Sequence, residues 1–258
     1  MGRIITKEEL AEATYYGPFS GVYRLADNKT IVKTGTIRHL AEAEAMRFVR
    51  ERTSIPVPEV YNAYRDEESG CVRIVMEYVE GERLDHAWDK LTEEDKESVT
   101  SQLRRHFAEL RKIGGSFIGS VDGSACEDPY FENEPGAYGP YSDEYAFNRG
   151  LIQAWTTGRD DPWVLNLCEM LRTTMKDHKV VMTHNDYDPR NILVRGSEVV
   201  AVLDWEQSGF YPEYWEYCRA LWRPSWDRSW MKEGFVDKVL EPYLEEYDVM
   251  RHTSYNIW

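Results

Sequence analysis

The stretch from Val180 to Trp205, VVMTHNDYDPRNILVRGSEVVAVLDW, constrains this chain more than any other part of it. An apolar run, Val180 to Met182, leads into a polar loop holding His184, Asp186, Pro189 and Asn191. Two β-rich runs follow, Asn191 to Val194 and Val199 to Leu203, separated by the turn residues Arg195, Gly196 and Ser197, which predicts a hairpin. The pairing returns the chain on itself, so Asp204 is expected beside the loop carrying Asp186 and Asn191. Two carboxylates and an amide then meet in one place. Such a set suits phosphoryl transfer, which needs a carboxylate to orient and deprotonate the attacking hydroxyl and oxygen ligands to hold magnesium on nucleotide phosphates.

The pattern His184-x-Asp186-x-x-x-x-Asn191, followed by an aspartate closing an apolar strand, resembles the catalytic and metal-binding loops of protein kinases and of their small-molecule relatives, the aminoglycoside phosphotransferase and choline kinase group. The wording THNDYDPRNILV and VLDWEQSGFYPEYWEY is similar to the small-molecule branch, in its fungal phosphotransferase-family form. The resemblance implies an α+β, two-lobed protein-kinase-like fold. Residues 1–78 would form a nucleotide-binding lobe, a small five-stranded antiparallel sheet with one main helix. Residues 79–258 would form a larger, mostly helical catalytic and acceptor-binding lobe, with a hinge at 76–81. ATP and Mg2+ are the implied cofactors. The resemblance assigns Asp186 as catalytic base, Asn191 and Asp204 as magnesium ligands, Lys33 as phosphate contact and Glu42 as its orienter. His184 is expected to brace the loop rather than act as acid or base.

Upstream, Thr6-Lys7-Glu8-Glu9 has capping-box form and predicts a short helix from Lys7 to Ala13. Strands at 16–23 and 29–34 flank the turn pair Asp27-Asn28. The tip with Gly17 and Gly21 falls short of the G-x-G-x-x-G pattern. Lys33 shares a strand face with Ile31, where a charge is costly unless a partner compensates it. The next helix, His39 to Arg52, offers Glu42 and Glu44. Glu42 is preferred because Met46 shares its face one turn on, though Glu44 with Phe48 makes a similar pattern.

Val60 to Arg65 and Cys71 to Tyr78 read as strands, with Val72, Ile74, Met76 and Tyr78 on one face. Met76-Glu77-Tyr78-Val79 resembles a kinase hinge, with Met76 as gatekeeper and the Glu77 carbonyl and Val79 amide binding the adenine edge. Thr92 is expected to cap a long helix to Ile113, with His106 on its apolar face as a core histidine. Residues 114–141 are rich in Gly, Pro, Tyr and acids, too long for a passive connection, and resemble an acceptor-side insert. Helices are predicted from Ser142 to Trp155, from Pro162 to Met175 and from Glu213 to Trp222, with a last one near Phe235 to Tyr247 interrupted at Pro242.

With 258 residues, 42% of them hydrophobic, the chain can bury a sizeable core. No apolar run approaches the roughly 20 residues that span a bilayer, and MGRIITKEEL lacks a signal-peptide core, so a cytoplasmic location is expected. The four cysteines are far apart, without a C-x-x-C pair, and are expected as buried free thiols, with no structural metal. A net charge of -15 argues against nucleic acid and against an anionic membrane as partners. ATP and a small hydroxyl-bearing acceptor are the expected partners of a monomer or weak dimer.

No long activation segment follows Asp204, which disfavours a protein kinase. A catalytically silent nucleotide-binding scaffold is the other rival, and the presence of every essential residue speaks against it. Asp188 stands where relatives often carry His or Lys. Asp186, Asp188 and Glu206, with Asp143 and Glu144 on the insert side, are expected around the transfer centre without clustered Arg or Lys to neutralise them, and Trp205, Tyr211 and Tyr214 nearby. An acceptor with a hydroxyl and a positive charge follows, such as an aminoglycoside or an amino alcohol. ATP and GTP both remain open as donors.

Overall fold

The computed structural model describes residues 2–16, 21–36, 39–131, 138–156, 161–222 and 226–257. The hairpin tip at 17–20, with Gly17, and residues 132–137 of the insert lie outside them.

The alternation read in the N-terminal sequence becomes an antiparallel sheet of five strands: β1 (Thr14–Tyr15), β2 (Val22–Arg24), β3 (Thr30–Gly35), β4 (Val60–Arg65) and β5 (Val72–Glu77), in the order β1-β2-β3-β5-β4. Period-two burial gives the sheet two faces. Val32 and Val75 pack with Ile5 and Leu25 on one. Ile74 and Met76 on the other meet Ala43, Ala45, Met46 and Val49 of the helix α2 (His39–Arg52). The helix α1 (Lys7–Ala11) carries the expected capping box, Thr6 with Glu9, and stops two residues short of the predicted end. Gly21 has φ +57, and a Cβ there would lie 2.5 Å from the Thr34 carbonyl oxygen, so the turn into β2 requires glycine.

Beyond Tyr78 the chain is mostly helical. After β6 (Glu82–Arg83) and α3 (Leu84–Ala87) comes α4 (Glu93–Leu110), capped by Thr92. His106 lies among its buried residues, and burial lowers its pKa, as a core histidine requires. The helices α5 (Glu144–Thr156) and α6 (Pro162–Thr174) follow. Asp143 rather than Ser142 caps α5, accepting from the Ala146 amide at 2.8 Å. Two small antiparallel ladders come next. β7 (Val180–Thr183) pairs with β10 (Gly209–Pro212), and β8 (Ile192–Arg195) lies between β6 and β9 (Glu198–Val202). The chain ends in α7 (Trp215–Ala220), α8 (Ser229–Lys232), α9 (Phe235–Val239) and α10 (Leu244–Ile257), with Pro242 between the last two.

One core cluster runs from α2 through α4 to β8, β9 and α9, joining the sheet to the helical part. A second, rich in aromatic rings, gathers Tyr130, Phe147, Trp155, Tyr211 and Trp215 from the insert, α5, β10 and α7. Of the four free cysteines three are buried, while Cys71 is exposed at the start of its strand, contrary to expectation. Among the described residues no helix is long and apolar enough to cross a membrane.

The β7–β10 ladder depends on close approach. A Cβ at Gly209 would sit 2.4 Å from the Gly119 carbonyl oxygen, a backbone atom that cannot rotate away. Gly209→Ala is expected to cost about 1–3 kcal/mol, the usual price of overpacking. A urea titration would show this as a lower midpoint at unchanged slope. An unchanged midpoint would mean that the ladder yields freely.

Candidate active site

The loop between β7 and β8 is shaped by groups that no strand ladder could satisfy. Asn185 adopts φ 73, a left-handed geometry that asparagine tolerates better than most residues. The turn aims the amides of His184 and Asn185 at the buried carboxylate of Glu216, which accepts both, at 2.7 and 3.0 Å. The Asn185 side chain donates to the Gln207 carbonyl at 2.9 Å. His184 is fully buried against the Trp205 ring, 4.4 Å between centroids. Its Nδ1 accepts from the Asp186 amide at 3.2 Å, so the ring proton sits on Nε2, which donates to the Leu203 carbonyl at 2.9 Å. Burial lowers the His184 pKa and favours this neutral form.

The same network sets Asp186. Asn191, at the end of the 3-10 turn Pro189–Asn191, donates through Nδ2 to the Asp186 carbonyl at 2.9 Å and to its carboxylate Oδ2 at 2.8 Å. The Asn191 carbonyl accepts from the Leu203 amide at 2.7 Å, which lays the end of β9 against the loop. Asp204 follows with φ 63. Strain of this kind concentrates at functional sites, where the surrounding structure enforces it.

Across the junction with the sheet, Lys33 projects from β3 into three carboxylates. Its Nζ lies 2.9 Å from Glu42, 2.7 Å from Asp204 and 3.2 Å from Glu206. Of the two candidate glutamates, Glu42 is 2% exposed and reaches the lysine. Glu44 points to solvent beside Arg47. Burial opposes the ammonium charge, but attraction from Glu42, Asp204 and Glu206 outweighs it and raises the Lys33 pKa. Burial likewise pushes Glu42 up to about 7, against the pull of Lys33. At the expected hinge, the Glu77 amide donates to the Glu59 carbonyl and the Tyr78 amide to that of Lys29, which continues the ladder to the end of β5. Met76 is buried on the face packed against α2, and Val79 follows beyond the strand.

A cavity of about 170 Å3 opens beside Asp186, bordered by Tyr187, Arg190, Arg219, Trp222 and Trp230. Its wall also includes Asp188, whose Oδ1 pairs with Arg190 Nε at 3.0 Å. A second guanidinium nitrogen of Arg190 lies 3.9 Å from Asp186.

This constellation has counterparts in known proteins. The sequence profile of the phosphotransferase enzyme family (APH) matches residues 22–252. The chain belongs to that family. Among solved structures it is similar to the gentamicin complex of APH(2″)-IIa, at 19% identity, TM-score 0.57, with 95% of this chain and 80% of that chain covered. It is also similar to a thermostable mutant of aminoglycoside phosphotransferase APH(4)-Ia in ternary complex with AMP-PNP and hygromycin B, at 17% identity, TM-score 0.62, with 94% and 82% covered. A streptomycin–ATP ternary complex of APH(2″)-IIa is similar at 17% identity, TM-score 0.60, with 97% and 83% covered. These likenesses fix the fold as two-lobed and protein-kinase-like. No curated protein sequence matches the chain.

Within this phosphotransferase fold the charge expected around the transfer centre needs correction. Asp188 pairs with Arg190, two residues on, while Glu206 shares the single Lys33 ammonium with Glu42 and Asp204. Asp143 caps α5, and Glu144 is buried against His178, with Oε1 2.7 Å from Nδ1. Both border a separate cavity of about 430 Å3. Trp205, Tyr211 and Tyr214 are fully buried and pack in the two cores.

Sequence reasoning missed Glu216. Its signal was present: a lone acid among the aromatic residues of Tyr214-Trp215-Glu216-Tyr217, where a charge needs a partner. Burial pushes its carboxyl up to about 7, although the His184 and Asn185 amides and the Arg111 charge pull the other way. The folded protein therefore holds a proton between the ordinary value of 4.5 and about 7 that the unfolded chain releases, so this group's contribution to stability falls as pH rises through that window. Its full slope is about 1.4 kcal/mol per pH unit. Glu216→Gln is expected to be less stable, with one amide donor left facing an NH2, and to show a shallower decline of unfolding midpoint over that window. Parallel slopes in the two proteins would show that Glu216 does not titrate there.

Proposed function

We propose that this chain is a magnesium-assisted, ATP-dependent small-molecule kinase that transfers the γ-phosphoryl group to a hydroxyl. The observation that carries the reading is the Asp186 carboxylate, fixed by the Asn191 amide and bordering a cavity of the helical part.

In this reading Asp186 accepts the proton of the acceptor hydroxyl as its oxygen bonds to the γ-phosphorus. The bond to the bridging oxygen breaks and ADP leaves. Asn191 uses its Nδ2 on Asp186, so its side-chain Oδ1 stays available, and Asp204 offers a carboxylate 37% exposed at the junction. Those hard oxygens fit magnesium, and Asn191 and Asp204 would hold it. The ion would neutralise charge on the phosphates and align them. Lys33, kept charged and oriented by Glu42, serves the nucleotide phosphates. Residues 1–78 form the nucleotide lobe and 79–258 the acceptor lobe, with Met76 lining the adenine site and the Glu77 carbonyl and Val79 amide binding its edge.

A small acceptor is favoured over a protein because β10 begins at Gly209, directly after the Asp204 turn, leaving no room for an activation segment. The pairing of Asp188 with Arg190 removes one carboxylate from those expected to attract a positively charged acceptor, while Glu206, which shares Lys33 with Glu42 and Asp204, keeps its place among them.

Replacing Asp186 by Asn keeps the shape and removes the proton acceptor. Turnover is expected to fall roughly 100- to 10,000-fold with MgATP binding retained. Retention of more than about a tenth of the ADP-release rate would reassign the base. For Asp204→Ala the prediction concerns the metal: calorimetric titration with and without magnesium should show the metal-dependent gain in ATP affinity reduced roughly tenfold or more, and metal-free binding little changed. An intact metal dependence would place the ligand elsewhere.

A further inference from the structure

The chain crosses from the five-stranded sheet to the helical part between β5 and β6. One covalent link leaves two rigid bodies free to roll on each other, whereas two fixed points leave a single axis of rotation. The loop after α2 supplies a second point. The Ser54 amide and hydroxyl each donate to one oxygen of the Glu109 carboxylate on α4, both at 2.6 Å. The Pro56 carbonyl accepts from the Val202 amide, at the end of β9, at 2.8 Å. Ile55 and Val57 are buried in the core that joins the two parts, and Arg50 donates to the Val57 carbonyl, which ties the loop back to α2.

Both arms that meet on Lys33 start from this loop. On one side α2 carries Glu42, 2.9 Å from Lys33, near the end remote from Ser54, and roughly 15 Å of helix separates Glu42 from Arg52. On the other, the chain runs two residues from Val202 to Asp204, which lies 2.7 Å from the same ammonium. The apolar contacts near the loop, Ile55, Val57 and the edge-on pair of Phe48 with Phe210 at 5.9 Å, have no preferred direction and let the surfaces slide. Hydrogen bonds to a carboxylate are directional and hold one register. Burial opposes the charge of Glu109, but the Ser54 hydroxyl and amide outweigh it and lower its pKa, which keeps both oxygens as acceptors.

We infer that Glu109 is a positioning residue for nucleotide binding: with Ser54 it forms the pivot on which the sheet turns over the helical part, and it sets the register in which Lys33 and Glu42 face Asp204. The pivot stands on the geometry of the loop, and its effect on ATP rests on the kinase reading.

Glu109→Gln tests it, because the shape is kept while an NH2 group faces one of the two Ser54 donors. Gln102→Ala is the control. Gln102 lies two turns earlier on α4, where its Nε2 donates to the Ser197 carbonyl at 2.7 Å and its Oε1 accepts from the Val199 amide at 3.1 Å, so this variant loses two hydrogen bonds that stay inside the helical part. Calorimetry of the full chain reads MgATP affinity, and mass spectrometry reads amide deuterium exchange over residues 39–52 without nucleotide, both well below the unfolding temperature of each variant. Glu109→Gln is expected to weaken MgATP binding roughly fivefold or more and to speed exchange over 39–52, while Gln102→Ala changes the affinity less than about twofold. Should Glu109→Gln not fold, Ser54→Ala, which deletes only the hydroxyl of an exposed residue, carries the same test with a smaller shift in the same direction. Unchanged MgATP affinity, or an equal loss in Gln102→Ala, would overturn the positioning role, and unchanged exchange would overturn the pivot. Failure of the wild-type chain to bind MgATP would sink the kinase reading and the effect on ATP with it, and the exchange result would then decide the pivot by itself.

Discussion

One buried carboxylate holds the turn on which the site is built. The left-handed turn at Asn185 takes two successive amides out of any ladder, and buried amides without acceptors would unfold the loop toward solvent. Glu216 supplies both acceptor oxygens from α7. That helix holds its place because Trp215 is locked among Phe147, Tyr130 and Tyr211, and because the Trp215 indole donates to Asp128 at 3.1 Å. The aromatic core is thus more than bulk: its rigidity becomes the fixed position of a carboxylate, and that carboxylate fixes the backbone from which Asp186 projects.

Lys33 plays the corresponding part between the lobes. The strand, the helix and the Asp204 turn meet on one ammonium that is 12% exposed, where charge pairs act at low effective dielectric. Such a junction is stiff toward loss of a partner, because a buried charge left alone is expensive. It can still exchange one oxygen ligand for another, since carboxylate and phosphate oxygens both accept from an ammonium. A lysine held this way suits a site that must receive phosphates between two separately folded layers.

The parts legible in sequence were those set by local chemistry. Asp186, Asn191 and Asp204 could be read together because turn residues and strand alternation between them fix how far the chain travels before it returns, and the Leu203–Asn191 hydrogen bond closes that path as expected. The capped starts of α1, α4 and α6 and the break at Pro242 were legible for the same reason. Glu42 could be preferred over Glu44 only by its helical face, and the register of α2 against β5 decides it. Glu216 escaped notice because only tertiary packing shows that an acid in an aromatic helix is buried. The compensation of Asp188 was within reach, since Arg190 lies two residues on, but that of Glu206 was not, its partner Lys33 standing 173 residues away in sequence.

That difference explains why overall acidity says little about the acceptor. A net charge of -15 over 258 residues is a long-range field, damped beyond about 8 Å at physiological salt, so it acts on how fast charged molecules approach. Selection inside a cavity depends on contacts within hydrogen-bond distance, where each carboxylate counts only after its nearest guanidinium or ammonium is counted too. Beside Asp186 that partner is Arg190, which it shares with Asp188. What an acidic protein prefers in a cavity such as the one beside Asp186 is therefore set by the groups that line it and by their nearest partners rather than by the sum of its charges.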